Sequence, residues 1–324
     1  MHSFVNPASE PAFPGKSWKL TPDGRSFTYR RDGDAGVIFC DPLPTDEELA
    51  YYYGNVFNYQ WYFDHRRQKR VQGWHRWKRT GNRLQDAGTG QRRLLDVGCG
   101  HGWYVLASSK DGWKAEGMDY PSETSVATWR RLGINVTQGT VETAPFPPGQ
   151  FDVVSMWHVL EHTRDPEATI RHLLRLLAPG GKMVIAVPNL ACRGFALKGA
   201  DWTWIQLPYL HIWHFSPKAL TTLLERLGMT VETVETSDTW DAQWWFDGPG
   251  QHKLYRVCYR YIGGMASRLA RLLGGEPETA RKRWGDLTHE FARIIFYGLT
   301  IVSGRRLSKD GTGSELLIIA KKRG

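Results

Sequence analysis

Arg92-Arg93-Leu94-Leu95-Asp96-Val97-Gly98-Cys99-Gly100-His101-Gly102-Trp103 is the stretch that decides how this chain folds. Leu94, Leu95 and Val97 make the short apolar run of a strand buried on both faces, and three glycines at alternate positions then break it. Beyond the break, Trp103, Val105 and Leu106 fall at roughly helical spacing, so the reading is strand, tight turn, helix. Glycine serves such a turn twice over: it takes backbone angles other residues avoid, and it lets a ligand approach the main chain without meeting a Cβ. A turn of this composition is either a ligand cradle or only a turn.

Spacing narrows the ligand. The dinucleotide fingerprint G-x-G-x-x-G uses its third glycine to pack helix on strand beside a pyrophosphate. Here the order is Gly98-x-Gly100-x-Gly102, and Trp103 stands where that third glycine would fall, which weakens a pyrophosphate reading. Downstream, Ala115-Glu116-Gly117-Met118-Asp119-Tyr120 reads as a second short strand whose acid lies 21 residues after Gly98, from 98 to 119. Nucleotide-binding α/β folds place a carboxylate there against ribose hydroxyls, because it accepts two hydrogen bonds from a cis-diol. A solvated Asp in a turn is the alternative.

Taken in order, Leu94 to Gly102, Gly117-Met118-Asp119, Pro145-Phe146 to Phe151-Asp152-Val153-Val154, Val159-Leu160-Glu161-His162 and Leu177-Ala178-Pro179-Gly180-Gly181 resemble the class I S-adenosylmethionine-dependent methyltransferases. Within that class the likeness is to the small-molecule branch that includes the ubiquinone-biosynthesis O-methyltransferases. It covers roughly residues 85 to 240 and returns for the last strand. The resemblance implies a Rossmann-like, seven-stranded, mostly parallel α/β sheet, with S-adenosyl-L-methionine as cofactor. The activity it implies is methyl transfer to a small-molecule acceptor, a hydroxyl of an aromatic, lipidic or saccharide metabolite, with N- or C-methylation as alternatives.

The whole chain has 324 residues, long for one minimal domain and short for two large ones, so one α/β core with additions is expected. The expected divisions are an N-terminal hairpin and helical cap (1–84), the cofactor-binding core (85–240), a basic amphipathic helical insertion (241–311) and the last core strand (312–324). Cys40, Cys99, Cys192 and Cys258 form no C-x-x-C pair, so neither a disulfide framework nor a zinc site is indicated and no metal is expected. Met1-His2-Ser3-Phe4-Val5-Asn6-Pro7 lacks a basic start followed by an apolar core, and the longest apolar run, Ile294 to Val302, is too short to span a bilayer. A cytoplasmic protein, peripheral to membrane at most, is expected.

Charge is uneven. Of the net +9, residues 253 to 306 carry eleven Lys and Arg against four Asp and Glu, a local excess of seven. Leu254, Val257, Cys258, Tyr261, Ile262, Met265, Leu269 and Leu272 share one helical face there, with Arg256, Arg260, Arg268 and Arg271 largely off it. Such helices either pack on the core or across a homodimer, or rest on an anionic membrane surface. Nucleic acid is disfavoured as a partner, since no RNA-binding motif accompanies the charge. A non-catalytic relative of the fold that binds an acidic partner through this segment is the competing class; an NAD-linked oxidoreductase is opposed by Trp103.

Along the chain, Ser26 to Tyr29 and Val37 to Cys40 form a hairpin about Asp32-Gly33-Asp34, and Thr45-Asp46-Glu47-Glu48 reads as a helix start with a capping box. The aromatic run Tyr51 to Phe63 and the basic helix through Arg83 are implied by the resemblance to form a lid over the cofactor. Strands at 93–97, 115–119, 134–138, 151–156 and 182–187 alternate with helices at 102–109, 122–132 and 166–177, a pattern that means parallel pairing. Ser216-Pro217 opens a helix to Leu227, and strands 229–235 and 315–321 close the sheet, the last antiparallel by resemblance.

By resemblance, Asp96, Gly98, Cys99, Gly100 and Gly102 wrap the methionine end of the cofactor, Asp119 takes the ribose hydroxyls and Tyr120 lies along the adenine. Gly139-Thr140-Val141-Glu142 replaces the family's Gly-Asp-Ala, leaving Thr140, Val141 or Glu142 at the adenine edge. His158 falls where the family brings a side chain to the pocket floor near the methyl. Trp202 to Phe215 follows the fifth strand with three tryptophans and two histidines, which suits an aromatic or greasy acceptor. His211 and His214 are candidate bases, since imidazole titrates near neutral pH, although a lone histidine is more often a hydrogen-bonded structural residue.

Overall fold

A computed structural model describes residues 5–6, 8–19, 24–52, 66–120, 123–205, 210–237 and 311–323, with isolated positions between 268 and 279. Two compact units are present: Met1–Thr236 with Asp310–Gly324, and Ser237–Lys309. Almost all of the second unit, including most of the helical face expected from Leu254 to Leu272, lies outside the described residues, as do residues 53 to 65 of the aromatic run and its continuation. Among the described residues no helix is long and apolar enough to cross a membrane.

The first unit opens with the short strands β1 (Glu10–Pro11) and β2 (Trp18–Lys19), both paired with the hairpin strand β3 (Ser26–Asp32), which returns as β4 (Val37–Asp41). β3 runs on to Asp32 because its buried carboxylate accepts hydrogen bonds from Asn6 N at 2.6 Å and Ala35 N at 2.9 Å. The reversal therefore occupies 33–36 and closes with Gly36 N donating to Asp32 O at 2.9 Å. Helix α1 (Asp46–Tyr51) begins on the expected capping box: Thr45 Oγ1 accepts from Glu48 N at 3.2 Å, and Glu48 Oε2 accepts from Thr45 N at 2.7 Å. The basic helix α2 (Arg66–Thr80) then leads through a single 3-10 turn into the core.

The core alternates β5 (Arg93–Val97), α3 (Trp103–Lys110), β6 (Lys114–Asp119), α4 (Glu123–Leu132), β7 (Val136–Gln138), β8 (Phe151–Trp157), α5 (Pro166–Leu176) and β9 (Leu177–Pro188). After α6 (Arg193–Lys198) come β10 (Trp213–Phe215), α7 (Pro217–Arg226), β11 (Met229–Ser237) and β12 (Glu315–Lys322). The seven-stranded sheet has the order β11-β12-β9-β8-β5-β6-β7. Strands β7, β6, β5, β8 and β9 are joined in parallel, and β12 runs antiparallel to β9 with Glu315 opposite Pro188. Ser216 caps α7 by accepting from Ala219 N at 3.2 Å. β9 begins at Leu177 instead of Lys182, because the chain leaves α5 directly into pairing with β8 and absorbs the register shift between Phe151 and Val153.

Both faces of the sheet are buried, as the apolar runs imply. Leu95, Val154, Ile185 and Ile318 join one hydrophobic cluster, while their neighbours Leu94, Val153, Val184 and Leu317 join another with Trp77, Tyr104 and Trp113. Gly73 makes the second contact tight: a Cβ there would lie 2.4 Å from Trp103 Cβ. Trp103, which stands at the place of the missing third glycine, is thus met closely by α2. The hairpin belongs to the same body, since β10 pairs antiparallel with β4, Trp213 opposite Phe39.

Candidate active site

The strand order reverses between β5 and β8, and the carboxyl ends of those strands and of β6 define one edge of the sheet. In open α/β sheets this edge and this switch point receive ligands. Gly98 has φ 65°, and a Cβ there would lie 2.4 Å from Val159 Cγ2, so only glycine turns the chain here. Gly98 N and Cys99 N both donate to Met118 O, at 2.7 and 3.2 Å, which hangs the turn on the end of β6.

Asp119 draws the pieces together. Its Oδ1 accepts from Tyr120 N at 2.7 Å, its Oδ2 accepts from Gly100 N, and its carbonyl accepts from Gly139 N at 3.1 Å, so the turn before Thr140 and Val141 lies beside it. Trp129 on α4 donates its indole N–H to Gly100 O at 2.8 Å and fixes the far side of the turn. Asp96 is buried and accepts from Ser155 Oγ at 2.7 Å. Of the expected cofactor residues, Asp96, Gly98, Cys99, Gly100, Gly102, Asp119, Tyr120, Thr140 and Val141 lie in the last residues of β5 and β6 or on the turns after β5, β6 and β7, and His158 follows β8. Burial pushes the Asp119 carboxyl up to about 6, against its two backbone donors. Burial likewise pushes Asp96 up to about 7, with the Ser155 hydrogen bond pulling the other way. A carboxylate acceptor beside a left-handed glycine turn, with the exposed Tyr120 next to it, fits a nucleoside with a vicinal diol.

The other half of the edge carries the histidines. His158 leaves β8 with φ 58°, a conformation that costs a non-glycine residue on the order of 1–3 kcal/mol, and its N–H donates to Ala186 O at 2.8 Å. That bend sets the ring between two buried carboxylates, Nδ1 at 3.3 Å from Glu161 Oε1 and Nε2 at 3.0 Å from Glu315 Oε2. Burial opposes charge on His158, but hydrogen bonds to Glu161 and Glu315 outweigh it and raise its pKa. Burial alone would raise Glu315; the hydrogen bond with His158 and the charge of Arg79 instead hold it well below the carboxylate range.

His211 and His214 sit deeper. Trp204 stacks on His211 with centroids 4.8 Å apart and planes 13° from parallel, and His162 meets the same ring edge-on at 4.8 Å. Tyr29 OH donates to His211 O at 3.1 Å, so the N-terminal hairpin forms part of this wall. Burial drives His211 well below its ordinary pKa and His214 down to about 3, which leaves both imidazoles neutral at pH 7. Among the described residues Glu161, His162 and His211 each offer one ligand atom, all within 4.8 Å of one another, and are the group with the chemistry to hold a cation. The expectation of no metal came from cysteine spacing, which does not bear on a set of two histidines and a carboxylate.

Sequence reasoning missed Arg79, Trp129, Tyr29 and Glu315. Only Glu315 leaves a local trace, as an acid at the head of the apolar run Leu316-Leu317-Ile318-Ile319-Ala320. The rest are brought in by contacts between distant segments.

Residues 63–234 match the methyltransferase domain family, 172 of the 324 residues. The ubiquinone biosynthesis O-methyltransferase of Xanthomonas euvesicatoria pv. vesicatoria (strain 85-10) is 35% identical over 163 residues, covering 47% of this chain and 67% of that protein. The enzyme of the same name from Pseudomonas aeruginosa (strain LESB58) is 35% identical over 130 residues, covering 38% of this chain and 56% of that one. A crystal structure of an S-adenosylmethionine-dependent methyltransferase from Mesorhizobium loti superposes with a TM-score of 0.46 at 17% identity, covering 76% of this chain and 98% of the other. On the family match, with its sheet order and its glycine turn, the chain belongs to the methyltransferase domain family and is a class I S-adenosylmethionine-dependent methyltransferase.

Proposed function

We propose that the chain methylates an oxygen of a small aromatic, lipidic or saccharide acceptor, with Asp119 on the ribose diol, the 98–102 turn and Asp96 at the methionine end, and Tyr120, Thr140 and Val141 around the adenine. The cofactor supplies an electrophilic methyl on a positive sulfur. What the protein adds is placement and the exclusion of water, effects worth about 7 to 11 kcal/mol when two reactants are held in line. Asp119 anchors one end and the glycine turn the other. His158, with both ring nitrogens facing carboxylates, forms the floor.

The acceptor's proton goes to His211 Nδ1. The observation that carries this role is geometric: among the described residues His211 Nδ1 has no hydrogen-bond partner, while Trp204 and His162 hold the ring. Flat rings beside it suit an aromatic acceptor, in keeping with relatives named for ubiquinone biosynthesis. His214, buried against Tyr29 and Trp202, supports that wall.

Methyl-labelled S-adenosylmethionine, incubated with the chain and a panel of catechols, hydroxylated lipids, sugars and amines, tests the proposal by mass spectrometry. A labelled methyl ether on a hydroxyl acceptor is the expected product. Label found only on nitrogen or carbon, or on no acceptor, contradicts it. On the acceptor so found, His211→Ala lowers turnover by about 10²- to 10⁴-fold; full activity removes His211 as the base.

A further inference from the structure

Glu315 is the first residue of β12, and its register opposite Pro188 sets it at the edge of the sheet where His158 emerges from β8. Its carboxylate meets two partners from distant parts of the chain. Oε1 accepts from Arg79 Nη1 of α2, at 2.5 Å, and Oε2 lies 3.0 Å from His158 Nε2. The side chains of Glu315, Arg79 and His158 are 3%, 10% and 15% exposed, so water competes little for these bonds. Arg79 also donates through Nε to Glu235 near the end of β11, and Arg83 pairs with the same acid. The guanidinium is thus held at two points and cannot swing away without breaking both.

A carboxylate with one oxygen fixed by a guanidinium has its other oxygen fixed in space. A ring nitrogen facing that oxygen must carry the proton, because an ionised carboxylate only accepts. His158 is already in a strained left-handed backbone conformation, and strain of this kind persists only where surrounding contacts over-determine it. We infer that Glu315 is a positioning residue of the pocket floor: with Glu161 facing Nδ1, its bond to Nε2 fixes the plane of the His158 ring and keeps a proton on Nε2, and through Arg79 it ties that ring to α2.

The inference rests on the proposed reading in which His158 floors the methyl-transfer pocket. It adds that Nε2 is already committed, so this atom does not take the acceptor's proton. Second contacts that orient a functional imidazole in this way are familiar from histidines that bind metals, where the partner of the other nitrogen sets the tautomer.

The test is a long-range ¹H–¹⁵N correlation spectrum of the full chain labelled at histidine nitrogens, with His158→Gln assigning the resonance. Wild type shows an exchange-protected, downfield Nε2–H for His158. Glu315→Gln, which keeps an acceptor oxygen but not the charge, moves that proton upfield, and Glu315→Ala removes it from the spectrum. An Nε2–H that is absent in wild type, or unmoved by Glu315→Gln, overturns the inference. If Glu315→Ala does not fold, the isosteric Glu315→Gln decides alone. Calorimetry of the same wild-type sample with S-adenosylmethionine reads the functional proposal separately: failure to bind there removes that proposal while the resonance still reports on the Glu315 contact.

Discussion

The two halves of the sheet edge are built in different ways. At the ends of β5 and β6 everything that meets the expected nucleoside comes from one short region: Gly98 hangs on Met118, Gly100 on Asp119, and the distances are set by adjacent parallel strands. At the ends of β8, β9 and β12 the pocket is assembled from afar, with His158 and Glu315 157 positions apart and Tyr29 and His211 182 positions apart. On the proposed reading, cofactor recognition is carried by local backbone geometry, while acceptor recognition depends on the whole first unit being folded. A substitution in the first half should therefore act on binding of S-adenosylmethionine, and one in the second on chemistry.

The largest expected effect strikes where the halves touch. Gly98→Val adds a branched side chain at positive φ against Val159, the residue after His158, and is expected to destabilise the unit by about 2–5 kcal/mol, read by chemical denaturation. A variant as stable as wild type would show that the turn is free to relax and that the halves are independent.

Acidity sharpens the contrast next. Burial raises the Asp119 carboxyl from 3.8 to about 6, so the native protein without cofactor holds this proton more tightly than the unfolded chain. The stability this group contributes is complete below its unfolded value and is lost as pH rises through about 6. Cofactor affinity runs the other way, weakening as pH falls through about 6, since a protonated acid loses the charge that strengthens its bonds to a diol. Calorimetric titrations on either side of that pH check it, and Asp119→Asn should lack this component of the pH dependence.

The smallest effect separates turn from strand. Trp129→Phe removes the indole bond to Gly100 O, a loss of about 1 kcal/mol, and should weaken cofactor binding about fivefold while leaving methyl transfer from saturating cofactor intact. A larger fall in turnover than in affinity would place Trp129 with the acceptor half.

How much of this was legible in the sequence follows the same division. The β5 turn, the strand that ends at Asp119, the Thr45 capping box, the Ser216 cap and the strand and helix alternation are all local patterns, and the structure bears them out with shifts in their ends. Trp103 was readable as the wrong residue for a dinucleotide turn, but its partner Gly73 was not, because helix-on-helix contact leaves no periodic signature at one position. The histidines were visible as chemistry without a geometry. What separates His158, clamped by two acids, from His211, neutral and stacked on Trp204, is burial and long-range pairing, and neither is written near those residues in the chain.

Titration of the full chain with S-adenosylmethionine, wild type beside Asp119→Ala, tests the central claim most directly. Binding by wild type and a roughly 10- to 150-fold loss in the variant is predicted, the range for hydrogen bonds to a charged acceptor. Equal affinity in the two proteins, or a wild type that takes up NAD and ignores S-adenosylmethionine, would contradict it.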